Sequence, residues 1–104
     1  NMSRPELLDE QRIDEELEDL VNWIKVGKEI KREIVAADFV SAIGFVNSVA
    51  IISESMDHHP NIEIYGWNKV RISVSTHDAG GLTELDFKLA HKIDSIKLNS
   101  NGDK

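Results

Sequence analysis

The 104-residue chain carries four histidines, His58, His59, His77 and His91. Three of them fall where short alternating segments begin or end. His58 and His59 stand in a connection just before Pro60, and His77 follows the alternating run Lys69–Thr76. If the segment after Pro60 and the run Lys69–Thr76 pair as a hairpin, the start of one lies beside the end of the other. His58 and His59 then come close to His77, in loops at strand ends of the kind that usually carry function. Imidazole titrates near pH ~6.5, so it can give or take a proton at neutral pH. A cluster of three would support acid/base chemistry without a cofactor. The same residue types could hold zinc, as three-histidine catalytic sites do, or could be an unrelated set of surface histidines. Spacing alone leaves these alternatives open.

The acids nearby have modest readings of their own. Asp57 and Asp78 flank the histidines and could orient them by hydrogen bonds. Asp86 stands three residues after Thr83, which suits a capping arrangement at a helix start better than catalysis. Glu54 lies near the end of a long helix and could simply solvate it, and Trp67 is expected to be a packing residue. His91 has Asp94 at i+3 and reads as a surface histidine on a helix.

The elements that must hold these groups can be read from periodicity. Residues Glu6–Leu20 are rich in helix formers, with a partial apolar stripe, and predict an amphipathic helix. Val21–Val26 and Glu29–Val35, joined by Gly27-Lys28, predict a hairpin. Asp38–Met56 predicts the strongest helix, with Phe39, Ile43, Val46 and Ala50 on one face. Val40, Phe45, Val49, Ile51, Ile52 and Met56 widen its apolar surface, and no residue from Phe39 to Ser53 is charged. Such a helix is expected to be covered on two sides, one of them by a partner subunit. Ile62 and Ile64 mark a short strand, Gly66 a bend, and Val70, Ile72 and Val74 a half-buried strand. Thr83 opens a last helix to about Leu98, with Leu85, Leu89, Ile93 and Ile96 toward the core. The order α-β-β-α-β-β-α predicts an α+β two-layer sandwich with helices on one face of a four-stranded antiparallel sheet. Residues 1–5 and 99–104 read as loose ends around one domain, with its ordered core at about 6–98.

Composition narrows the chemistry. There is no cysteine, which excludes disulfides, thiol catalysis and Cys-containing zinc sites. Asp and Glu total 19 against 12 Lys and Arg, for a net charge of -7. That balance repels phosphate backbones and anionic lipid, so neither nucleic acid nor membrane is an expected partner. No apolar run approaches the ~20 residues that span a bilayer. With no apolar core before Asp9, the chain reads as cytoplasmic.

Four stretches together carry a family resemblance. They are Glu54-Ser-Met-Asp-His58-His59-Pro60, Trp67-Asn68-Lys69-Val70, Ser75-Thr76-His77-Asp78 and Gly80-Gly81-Leu82-Thr83-Glu84-Leu85-Asp86. This composite resembles the pterin-4a-carbinolamine dehydratases. The Trp23 segment, Lys31-Arg32-Glu33 and the Asp38-Phe39 helix start extend the likeness over most of the chain. Tyr65-Gly66 is a departure, since some members are one residue shorter there.

The resemblance implies a hydro-lyase that dehydrates 4a-hydroxytetrahydropterin to quinonoid dihydropterin, in tetrahydrobiopterin recycling. It implies no metal and no organic cofactor, which argues against the zinc reading. His58, His59 and His77 match the catalytic histidines. Asp57, Ser75, Thr76 and Asp78 match substrate contacts, and Glu54, Pro60, Trp67 and Asp86 support the motif. The resemblance also implies a homodimer or homotetramer. Animal members double as dimerisation cofactors of a homeodomain transcription factor, and divergent relatives that tend to lose catalytic histidines serve as assembly factors. All three histidines are present here, which favours the enzyme.

Overall fold

The computed structural model describes residues 5–98. Its elements follow the expected order: α1 (Glu10–Leu17), β1 (Ile24–Val26), β2 (Glu29–Val35), α2 (Phe39–Met56), β3 (Asn61–Tyr65), β4 (Lys69–Val74) and α3 (Glu84–Asp94), with one 3-10 turn at His77–Ala79. The strands form an antiparallel sheet in the order β1-β2-β4-β3. The two hairpins are the local pairings. The central pairing of β2 with β4 joins them, with Ile30 opposite Val74 and Ile34 opposite Val70. The expected loose ends lie outside the described residues except for Pro5.

Alternation decides the layering. Ile30 and Ile34 of β2 and Val70, Ile72 and Val74 of β4 all point to one face and are buried there. Ala42, Phe45 and Val49 of α2, with Phe87, Leu89, Ala90 and Ile93 of α3, cover them. Each large side chain so buried contributes about 1.5–3 kcal/mol of transfer free energy. On this same face the Trp23 indole N–H donates to Asp94 at 2.9 Å and the Arg32 guanidinium pairs with the same carboxylate at 2.5 Å, tying α3 to the β1–β2 hairpin.

Several boundaries are shorter than expected. α1 begins at Glu10 because Asp9 caps it, accepting from the Arg12 N–H at 2.9 Å. The preceding residues carry no regular structure, and the Leu8 N–H among them donates to the Leu82 carbonyl at 3.0 Å. β1 begins at Ile24, since Trp23 is buried against α3 and Val21 is 84% exposed in a turn. β4 ends at Val74, and Thr76 makes only an isolated bridge with Gly81. α3 ends at Asp94, so Ile96 packs from the chain beyond it. Its buried face is Asp86, Phe87, Leu89, Ala90 and Ile93, while Leu85 is half-buried.

The face of α2 is the main correction. The residues turned inward are Ala42, Phe45, Val49 and Ser53, at i+3, i+4 and i+4. Phe39, Ile43 and Ala50 of the expected core stripe are exposed, with only Val46 half-buried. A helix apolar nearly all round gives periodicity no contrast from which to choose a side. Of the residues that widen the apolar surface of this helix, Phe45 and Val49 belong to the chain's own core rather than to a surface for a partner. Ile52 and Met56 are half-buried against that core, while Val40 and Ile51 are 78% and 72% exposed. By length and composition α2 could cross a membrane, contrary to the expectation that no segment would qualify. It starts cleanly: Asp38 accepts from the Ser41 N–H at 2.7 Å, and that bond holds the Asp38 carboxyl below its usual range. The cap is therefore complete above the ordinary carboxylate range and weakens as pH falls through the lowered value.

The opposite face of the sheet is polar. Arg71 donates to Glu33 at 3.0 Å and to Glu63 at 2.8 Å, and lies 4.5 Å from the centre of the Tyr65 ring. The Tyr65 hydroxyl donates to Glu33, which raises the phenol pKa. That bond, and then the one from Arg71, lowers the Glu33 carboxyl.

Candidate active site

The register of the β3–β4 hairpin builds the site. Asn61 faces Ser73, so the residues just before Asn61 lie beside those just after Val74. His58 and His59 reach this place by a sharp turn at the end of α2. Asp57 adopts a left-handed conformation, φ 52° and ψ 42°, which Asp tolerates better than most residues. Its N–H and that of His58 close the helix end on the carbonyls of Glu54 and Ser53, each at 3.1 Å. The turn sends the His58 ring inward and leaves His59 outside. On the other side, Gly80 at φ 81° lets the chain fold back after His77.

Asp57, His58, His59, Ser75, Thr76, His77 and Asp78 line one cleft of about 270 Å³. The three histidines are held in three different ways. His58 is 8% exposed, and its Nε2 lies 2.6 Å from Oδ1 of Asp86, which is fully buried. A carboxylate oxygen offers only lone pairs, so this bond places the proton of a neutral His58 on Nε2 and leaves Nδ1 available. His59 is exposed, with Nε2 2.9 Å from Glu54 Oε1. His77 is exposed on the 3-10 turn and has no side-chain hydrogen bond among the described residues.

Asp86 is both a cap and a clamp. Its Oδ2 accepts from the Thr83 N–H at 2.8 Å and completes a capping box at the start of α3. The same oxygen accepts from the Thr76 hydroxyl at 2.8 Å, and the Thr76 and Thr83 hydroxyls are 2.8 Å apart. Thr76, Thr83 and Asp86 are all buried. A buried polar chain with every member paired fixes the geometry of whatever it touches. Here it touches His58.

The orienting acids are Glu54 and Asp86. Asp57 and Asp78 line the cleft, but neither bonds a histidine among the described residues. Thr83, a member of the buried chain, was legible only as a helix start, through its Thr-x-x-Asp spacing. Pro60 is half-buried where the loop passes into β3. Trp67 lies at the far end of the β3–β4 hairpin and is 61% exposed, so it neither packs in the core nor borders the cleft. Among the described residues, no three histidine or acid side chains converge as metal ligands do.

Comparison with known proteins agrees over nearly the whole chain. The sequence profile of the family described as Pterin 4 alpha carbinolamine dehydratase matches residues 6–96. A protein of Roseiflexus castenholzii, provisionally named pterin-4-alpha-carbinolamine dehydratase, is 50% identical over 86% of this chain and 96% of its own. One of Sulfurisphaera tokodaii with the same provisional name is 45% identical over 86% and 95%. The crystal structure of a transcriptional coactivator/pterin dehydratase from Brucella melitensis superposes with a TM-score of 0.79 at 37% identity, covering 85% of this chain and 95% of that one. A pterin dehydratase-like RuBisCO assembly factor of the alpha-carboxysome shares the fold, with a TM-score of 0.60 at 23% identity over 71% and 87%. With the match running from residue 6, before α1, to residue 96, just past α3, this chain belongs to the pterin-4a-carbinolamine dehydratase family.

Proposed function

We propose that this protein dehydrates 4a-hydroxytetrahydropterins to quinonoid dihydropterins, with His58, His59 and His77 as its working groups. The observation that carries the reading is the single cleft lined by three histidines in three different environments. The reaction removes water across C4a and N5. The C4a–O bond breaks as the leaving oxygen takes up a proton. The N5–H bond gives its electron pair to a new C4a=N5 double bond and releases its proton. One protonated imidazole and one neutral imidazole meet both needs, each contributing about 10²–10⁴ in rate. His58 and His77 are the pair assigned to these transfers, and His59 positions substrate or shares the acid role. Asp57, Ser75, Thr76 and Asp78 are the assigned substrate contacts. The direct test is formation of quinonoid dihydropterin from freshly generated 4a-hydroxytetrahydropterin. A rate no faster than the uncatalysed one would overturn the reading.

No step calls for a metal. Treatment with a chelator is expected to leave both rate and melting temperature unchanged. Stoichiometric zinc together with loss of activity on chelation would show otherwise.

The outward face of α2 supports a homodimer or homotetramer. Phe39, Val40, Ile43 and Ile51 are exposed along it, each able to contribute about 1.5–3 kcal/mol if covered. Symmetric pairing of like surfaces is the commonest way to cover such a patch. The helix is a poorer membrane span, since 18 residues reach only about 27 Å and its other face is committed to the sheet. Ile51→Glu is expected to lower the mass measured by light scattering at micromolar concentration while the subunit stays folded, because it sets a carboxylate in an apolar contact. Phe45→Glu, by contrast, should unfold the subunit. A clean 11.7 kDa monomer for the unsubstituted protein would refute the assembly.

A further inference from the structure

The segment Ser75–His77 is a wall between two clefts. On one side is the histidine cleft. On the other is a larger one of about 420 Å³, lined by Val26, Lys28 and Glu29 of the β1–β2 hairpin and by Gly80 and Gly81. The sheet register brings them together. Ile30 faces Val74, and continuing that pairing by two residues sets Lys28 beside Thr76. The histidine cleft, at about 270 Å³, is at the small end of ligand pockets, which usually run to roughly 300–1,000 Å³. It can take a bicyclic ring, but a substituent on that ring must extend elsewhere. The open neighbour across His77 is the adjoining space.

The charges in this second cleft are unequal in availability. The Glu29 carboxylate lies 3.7 Å from the Lys31 amine. Lys25, at the same hairpin, donates to the Gly27 carbonyl at 2.8 Å. Lys28 has no salt bridge or side-chain hydrogen bond among the described residues. Lys28 thus lines this cleft as a cation that no described carboxylate neutralises, in a chain with a net charge of -7.

Resting on the dehydratase reading, we propose that this second cleft receives the side chain carried by the pterin ring, and that Lys28 selects an anionic one, a carboxylate or a phosphate ester. A lysine side chain meets such a group as a point charge with three donors, and the contact is charge-assisted.

The test is equilibrium binding of stable 7,8-dihydropterins, which needs no turnover. The probes are 6-methyl-7,8-dihydropterin, its 6-carboxy counterpart and the phosphate ester of its 6-hydroxymethyl counterpart. The native protein should bind at least one anionic compound roughly tenfold more tightly than the methyl compound, and added salt should shrink the difference. Lys28→Gln should abolish the preference and Lys28→Glu should invert it. Lys92→Gln, in the last turn of α3, should keep it. A preference for the phosphate ester alone would assign the cleft to a phosphorylated side chain, and one for the carboxylate alone to an acid side chain. No preference in the native protein, or one that survives in Lys28→Gln, would overturn the assignment. Failure of all three compounds to bind would instead overturn the pterin reading, and this inference with it.

Discussion

His58→Ala and His77→Ala are each expected to lower turnover of 4a-hydroxytetrahydropterin by at least about 10², because each removes one partner in proton transfer. The two should differ in stability. His77 is exposed and bonds no side chain among the described residues, so its removal should leave the melting temperature nearly unchanged. Removing His58 strips a hydrogen bond from buried Asp86, a loss of about 1–3 kcal/mol. His58→Gln is the cleaner test, since its amide can still donate to Asp86 but cannot shuttle a proton at neutral pH. His91→Ala, on the exposed side of α3, should match the native protein. A folded double variant of His58 and His77 with near-native activity would show that the site has been misassigned.

Asp86 is expected to matter almost as much, without touching substrate. Asp86→Ala would leave the Thr83 N–H, the Thr76 hydroxyl and the His58 ring without their shared acceptor. Breaking a buried pair in this way typically costs about 3–5 kcal/mol, a large part of the stability of a small domain. Asp86→Asn separates positioning from folding. It keeps the shape of the side chain and one acceptor oxygen, so the capping box can persist. If the amide nitrogen then faces His58, it donates where Oδ1 accepted and moves the proton of a neutral ring from Nε2 to Nδ1. Turnover should fall by about 10² while KM changes little, since Asp86 lines no part of the cleft. A drop in melting temperature with kcat intact would make Asp86 a helix cap alone.

The element order, both hairpins and all three principal helices were legible in the sequence, because each is a local matter. Alternation in Val70, Ile72 and Val74 specifies a strand. Gly27 supplies a turn at positive φ, and the Thr83–Asp86 spacing marks a helix start. The histidine cluster was legible for the same reason, since a hairpin whose ends meet needs only the local pairing of β3 with β4. What local pattern could not supply was direction and partnership over long separations. Which face of α2 turns inward was undetermined in a helix apolar on every side. It was settled by the fit of Ala42, Phe45 and Val49 over the sheet. Asp86 was readable as a cap, but its bond to His58 joins residues 28 apart and exists only because α3 packs beside the end of α2. That Lys28 and His77 line one cleft depends likewise on the β2–β4 register, a pairing between two separate hairpins. Short-range preferences of the backbone chose the elements. Burial of their apolar faces against one another chose which side chains share a cleft.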